Sequence, residues 1–207
     1  MIEHPVREGD LLWSPSSEMV RASVMQRYID WLAHMRDLRF DDYHTLWQWS
    51  ITDLSAFWQS IWDFFDVQAT TSPQAVLADA SMPGAVWFPG ATLNYAAHAF
   101  RYADAERPAI IFQSEGGSLQ TMTWADMQRQ VGAVAAGLRA LGVRRGDRVA
   151  AVLPNAPQAV IAFLACASLG AIWSSCSPDM GVASVADRFR QIEPRVLIAV
   201  DGYRYGG

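Results

Sequence analysis

Two short stretches, each following an apolar run, carry side chains that could bind a polar or anionic ligand. The first is Ser174-Ser175-Cys176-Ser177-Pro178-Asp179-Met180-Gly181. Its hydroxyls, together with the backbone N–H groups of a helix that follows, could meet an anion or a polar ligand. On spacing alone the same residues also describe an ordinary polar turn from strand to helix. The second is Asp201-Gly202-Tyr203-Arg204-Tyr205-Gly206-Gly207. A guanidinium can take a phosphate in its planar fork while flanking rings stack on a base. Alone, that stretch reads equally well as a surface turn.

Absences narrow the chemistry further. All 16 basic residues are Arg, and the sequence contains no lysine. Any mechanism that needs an amine, from a phosphate-loop lysine to a Schiff base, is excluded within this chain. Cys166 and Cys176 have no CxxC pairing and no His cluster beside them. A zinc site therefore lacks its ligands, and two buried thiols are expected. The net charge of −5 and pI of about 5.3 give no basic surface for nucleic acid or anionic lipid, so neither is expected as a partner. The longest apolar-rich stretch, Ala156 to Cys176, is interrupted by Pro157, Gln158 and Gly170, and the N-terminus lacks the pattern of a secretory signal. A cytoplasmic protein is expected.

The elements that must position the two stretches can be read from periodicity. With 51% hydrophobic residues the 207-residue chain can bury a substantial core. After Ser17, the positions Val20, Val24, Tyr28, Trp31, Leu32 and Met35 recur at helical spacing and predict an amphipathic helix. Leu54, Phe57, Trp58, Ile61, Trp62 and Phe65 predict a second helix with a broad apolar stripe, which is either core or a face for docking a partner. Residues 68–83 are small and polar and read as a connecting segment, pinned by Trp87 and Phe88.

From Pro108 the pattern changes. Ala109–Gln113 and Leu119–Thr123 flank Glu115-Gly116-Gly117-Ser118 and predict a hairpin, with the glycines as turn residues. Thr123 followed by Asp126 predicts a capped helix that stops at Gly142. Arg148–Leu153, Pro157–Leu169 and Ala171–Cys176 then read as strand, helix and strand, with Pro in the first helical turn. Ser184 with Asp187 is expected to cap another helix, stopped by Pro194 and followed by a buried strand from Arg195 to Val200. The expected class is α/β: a helical, aromatic-rich N-terminal segment followed by βαβ units of a largely parallel sheet. In such sheets ligands bind beyond the carboxyl ends of the strands, where both stretches fall.

Several runs carry a family resemblance. Tyr43-His44-Thr45-Leu46-Trp47-Gln48-Trp49-Ser50, Asp53-Leu54, Phe57-Trp58-Gln59-Ser60-Ile61-Trp62-Asp63-Phe64-Phe65 and Met82-Pro83-Gly84-Ala85-Val86-Trp87-Phe88-Pro89-Gly90-Ala91-Thr92-Leu93-Asn94-Tyr95 resemble the lead-in segment of acetoacetyl-CoA synthetases. Gly146-Asp147-Arg148-Val149 through Leu153-Pro154-Asn155 resembles adenylate-forming enzymes in general. Gly170-Ala171-Ile172-Trp173-Ser174-Ser175-Cys176-Ser177-Pro178-Asp179, with Asp187-Arg188-Phe189 and Gln191-Ile192-Glu193-Pro194, is more similar to the acetoacetate branch than to the acetate branch.

The resemblance implies an acid–thiol ligase that uses ATP and magnesium to make an acyl-adenylate, releases pyrophosphate, and passes the acyl group to coenzyme A. It implies residues 1–105 as a mostly helical lead-in and 106–207 as the first part of an AMP-binding domain. The family's phosphate loop, magnesium Glu and adenylation Lys lie beyond the matched region, so no catalytic and no metal-binding residue is expected in this chain, which by itself should be inactive. By resemblance to the acetate enzymes, Ser177, Pro178 and Asp179 lie near the pantetheine arm of coenzyme A and Arg204 faces its 3′-phosphate. Those relatives carry an aromatic residue and two glycines where this chain has Ser177-Pro178-Asp179, and a second arginine at the place of Gly207. A ligase for acetate, propionate or another short acid, and a truncated binding module with no catalysis of its own, remain alternatives. Self-association through an exposed sheet edge or the aromatic helix is a further expectation.

Overall fold

The computed structural model describes residues 6–204. The chain divides into two compact units. One runs to Val67 and takes in Ser72–Ala91; the other comprises Gln68–Thr71 and the chain from Thr92 onward.

The first unit is helical. Helix α1 (Ser17–Ala22) and helix α2 (Val24–Arg36) replace the single helix expected after Ser17. The break is at Ser23, an extended residue whose N–H closes α1 on Val20 while its hydroxyl accepts from Gln26 N–H to cap α2. A serine that satisfies a helix start more readily than it continues a helix accounts for the interruption. Helices α3 (Tyr43–Thr52) and α4 (Leu54–Phe64) begin at Asp42 and Asp53, whose carboxylates each accept an N–H of the first turn. The expected second helix is thus α4.

Tyr28, Leu32 and Leu46 form the core between these helices, with Phe57, Ile61 and Phe64 packed on them. Ser60 is buried among them. Its hydroxyl donates to the Phe57 carbonyl at 2.6 Å, so the Tyr28 hydroxyl, 2.5 Å away, is the donor to Ser60 Oγ. Burial pushes the Tyr28 phenol above its ordinary pKa. The segment read as a connector contributes β1 (Leu77–Asp79), which pairs antiparallel with β2 (Val86–Trp87) just beyond it.

The second unit holds the sheet. Helix α5 (Tyr95–Phe100) leads to the hairpin of β3 (Ile110–Phe112) and β4 (Gln120–Met122), antiparallel as expected, with Gly116 at a φ of 65° in its turn. Thr123 caps α6 (Trp124–Ala140) by accepting from Asp126 N–H, and its hydroxyl donates to the Asp126 carboxylate. Strand β5 (Arg148–Val152), helix α7 (Pro157–Leu169), strand β6 (Ile172–Cys176), helix α8 (Val182–Ile192) and strand β7 (Val196–Ala199) follow. The three strands are parallel in the order β6-β5-β7.

The expected cap of α8 needs correcting. The helix starts at Val182 with Gly181 in the cap position and no side-chain cap, which leaves Ser184 and Asp187 inside it. The turn closed by Met180 N–H on the Ser177 carbonyl brings the chain into the helix early.

Both faces of β5 are covered. Val149 packs with Ile161, Leu164 and Ala165 of α7 and with Val131, Ala135 and Leu138 of α6. Ala150 on the opposite face packs with Cys176 and Phe189 of α8. Successive strand residues point to opposite faces, so α7 and α8 lie on opposite sides of the sheet. Both cysteines are free and buried. Burial in apolar surroundings raises the Cys166 thiol to about 11, which suppresses the reactive thiolate.

Candidate functional site

The connections diverge between β5 and β6. From β5 the chain leaves toward the face that α7 covers; from the adjacent β6 it leaves toward the face that α8 covers. Neighbouring strands whose connections diverge leave a gap between their loops at the carboxyl edge of the sheet. Here the gap opens beyond Val152 and Cys176, where Leu153 N–H still bonds the Cys176 carbonyl at 3.2 Å.

The β6–α8 loop borders that gap. Ser177 and Asp179 are exposed and Pro178 is half-buried. Ser177 Oγ donates to Asp179 Oδ2 at 2.7 Å and accepts, at 3.4 Å, from the Asp179 N–H. The hydroxyl's one proton is thereby used inside the loop, so toward a ligand Ser177 offers an acceptor. The other carboxylate oxygen, Oδ1, accepts from the Tyr203 hydroxyl. The hydrogen bond from Tyr203 first, and that from Ser177 second, hold the Asp179 carboxyl below its ordinary pKa.

Beyond β7 the chain stays aligned for one more residue, with Val200 N–H bonded to the Val152 carbonyl. Tyr203 and Arg204 follow, both exposed. The guanidinium of Arg204 leans over the β3–β4 turn: its Nη1 stands 4.0 Å from where a β-carbon on Gly116 would be. The expected partners Tyr205, Gly206 and Gly207 lie outside the described residues. The structure therefore gathers Ser177, Pro178 and Asp179 in one loop at the carboxyl edge of the sheet, and puts Arg204 on the segment after β7 with its guanidinium toward the β3–β4 turn.

Among the described residues no group of three or more His, Cys, Asp or Glu side chains could hold a metal ion, and no helix is long and apolar enough to cross a membrane. Sequence reasoning took the two tyrosine rings beside Arg204 as stacking surfaces. It did not foresee that the Tyr203 hydroxyl is tied to Asp179, because a contact between residues 24 positions apart has no local signal.

Residues 97–205 match the family model described as AMP-binding enzyme, and residues 43–99 match the model of the acetyl-coenzyme A synthetase N-terminus. The chain belongs to the AMP-binding enzyme family. Among curated relatives in that family it is similar to the acetoacetyl-coenzyme A synthetase of Rhizobium meliloti, at 40% identity over 196 residues, which is 95% of this chain and 30% of the relative. The acetoacetyl-CoA synthetase of Rattus norvegicus is 36% identical over 98% of the chain, again covering 30% of the relative. A solved structure of acetoacetyl-CoA synthetase from Streptomyces lividans overlays with a TM-score of 0.89 at 48% identity, covering 94% of this chain and 31% of that protein. The chain thus spans about 30% of the length of the curated relatives it matches. The matched region runs from within α5 to just beyond β7, and so includes Ser177, Pro178, Asp179, Tyr203 and Arg204.

Proposed function

We propose that this chain is the N-terminal portion of an ATP-dependent acetoacetate–CoA ligase. In that reading residues 1–105 form the lead-in segment and 106–207 open the adenylation domain. The whole protein joins acetoacetate to AMP with release of pyrophosphate, then transfers the acetoacetyl group to the thiol of coenzyme A, in the cytoplasm. The observation that supports it best is the breadth of the likeness: identities of 35–48% across 94–99% of the chain, to proteins described as acetoacetyl-CoA synthetases.

The part proposed for this chain is to build the scaffold and one wall of the coenzyme A channel. Coenzyme A supplies the accepting thiol, carried on a pantetheine arm and an anionic nucleotide. Arg204 suits the nucleotide phosphate, since a guanidinium keeps its charge at any working pH and can donate two parallel hydrogen bonds. Ser177, limited to accepting, suits an amide N–H of the arm. ATP and Mg²⁺ fit these residues poorly: no lysine is present, and no candidate metal cluster occurs among the described residues. Their binding is assigned to the part of the relatives that this chain does not span.

Exchange of labelled pyrophosphate into ATP tests the reading. The expected result is exchange by the whole protein that depends on acetoacetate and falls well below that level with acetate, and no exchange above background by the isolated 207-residue chain. Whole-protein exchange that runs as well with acetate would refute the acetoacetate assignment. Robust exchange that tracks the isolated chain through purification would refute the division of labour.

A further inference from the structure

The three strands place Asp179 and Tyr203 on opposite sides of β5. Asp179 is in the loop after β6, Tyr203 follows β7, and β5 lies between those strands. Two strand spacings, about 9–10 Å, separate the outer strands. The Tyr203 side chain closes that span by donating its hydroxyl to Asp179 Oδ1. Asp179 is in turn tied to Ser177 through Oδ2, at 2.7 Å. The two stretches are thus joined over the carboxyl end of the central strand.

We propose that Tyr203 and Asp179 are positioning residues that form a strap across the end of β5, holding the Ser177 loop and Arg204 at the spacing a coenzyme A molecule requires. This deepens the coenzyme A reading above and rests on it. The chemistry favours such a role over direct contact. Both carboxylate oxygens of Asp179 are occupied by hydroxyl donors, and an anionic side chain is a poor contact for a ligand that carries several phosphate charges. Tyr203 is committed through its hydroxyl, so what matters is the O–H and not the ring face. A residue that acts through Asp179 on Ser177, and through the backbone on its neighbour Arg204, affects both ends of the ligand without touching it.

Tyr203→Phe keeps the ring and removes the donor; Asp179→Ala removes both acceptors. Both variants and the double variant of the whole protein are compared with the wild type in two measurements. One is the dissociation constant for coenzyme A by titration calorimetry; the other is hydrogen exchange at the amides of Asp179, Met180 and Gly181. The expected result is faster exchange in each single variant, a roughly 5- to 10-fold weaker affinity, and a double variant no worse than either single, since both break one link.

Unchanged exchange in Tyr203→Phe overturns the strap, whatever coenzyme A does. Faster exchange with unchanged affinity overturns the positioning role while leaving the coenzyme A reading intact. Tighter binding by Asp179→Ala overturns it too, by showing that the carboxylate faces the phosphates. A wild-type whole protein that binds no coenzyme A overturns the coenzyme A reading itself and the positioning role with it, an outcome set apart from the others because it appears before any substitution is made.

Discussion

Replacing Phe189 by alanine should detach α8 from the sheet. Phe189 is the buried residue of α8, and it meets Ala150 of β5 and Cys176 of β6, with Val152, Met180, Val185 and Ile192 packed around them. Truncating a buried phenylalanine costs about 3–5 kcal/mol. Phe189 retains 9% exposure at the rim of a small cluster, so the lower end, about 3 kcal/mol, applies. The opposite face of the sheet has its own core, built by α6 and α7 around Val149. Loss of Phe189 should therefore open α8 locally before the rest of the unit unfolds. Native-state hydrogen exchange measures this directly: 3 kcal/mol corresponds to roughly 100-fold faster exchange at α8 amides, with α6 and α7 much less affected. Val182→Ala, at a side chain 86% exposed, is the control and should stay within about 0.5 kcal/mol. A Phe189→Ala loss below about 1 kcal/mol, or an equal loss in the control, would refute the view that α8 is held by this one anchor.

Two other outcomes follow from single groups. Arg204→Ala should weaken coenzyme A about 10- to 100-fold, as expected for a charged hydrogen-bonding partner, yet leave dephospho-coenzyme A nearly unaffected; equal losses by calorimetry would take Arg204 away from the 3′-phosphate. Tyr28→Phe should cost the first unit about 1 kcal/mol at neutral pH by removing the bond to Ser60. The folded phenol titrates above its ordinary value of 10.0, so the wild type is fully stabilised below that pH and loses stability as pH rises through the folded pKa. The gap between wild type and variant, followed by urea denaturation, should therefore shrink in alkali; a gap that grows there would contradict the burial.

Where a pattern is local, the sequence predicts the structure closely. Pro157 in the first turn and Gly170 after the last residue delimit α7 as observed, because both ends are set by backbone chemistry within one residue of the boundary. The β3–β4 hairpin and the Thr123 cap were legible for the same reason. The start of α8 was misread because Ser184 and Asp187 have the right spacing for a cap, while the tight turn at Ser177–Met180 that decides the start depends on the geometry of the preceding loop. The β1–β2 pair was missed, since strands of two and three residues are too short to show alternation. For the candidate site, residue types and the carboxyl edge could be read in advance. The strap could not: strand order is a tertiary property, and nothing in the run from Ser177 to Arg204 says that the last strand lies on the far side of the first.

That order also carries a consequence for assembly in time. The middle strand, β5, precedes both of its neighbours in the chain. A sheet made this way has a template from the outset, and each later strand arrives at an edge that is already waiting. β6 returns after one helix and closes a short loop, so the first pairing is quick. β7 must then pass over the sheet and dock on the opposite edge, and only that last step brings Tyr203 within reach of Asp179. Among these three strands, then, the contact between Tyr203 and Asp179 forms only once both neighbours have paired with β5.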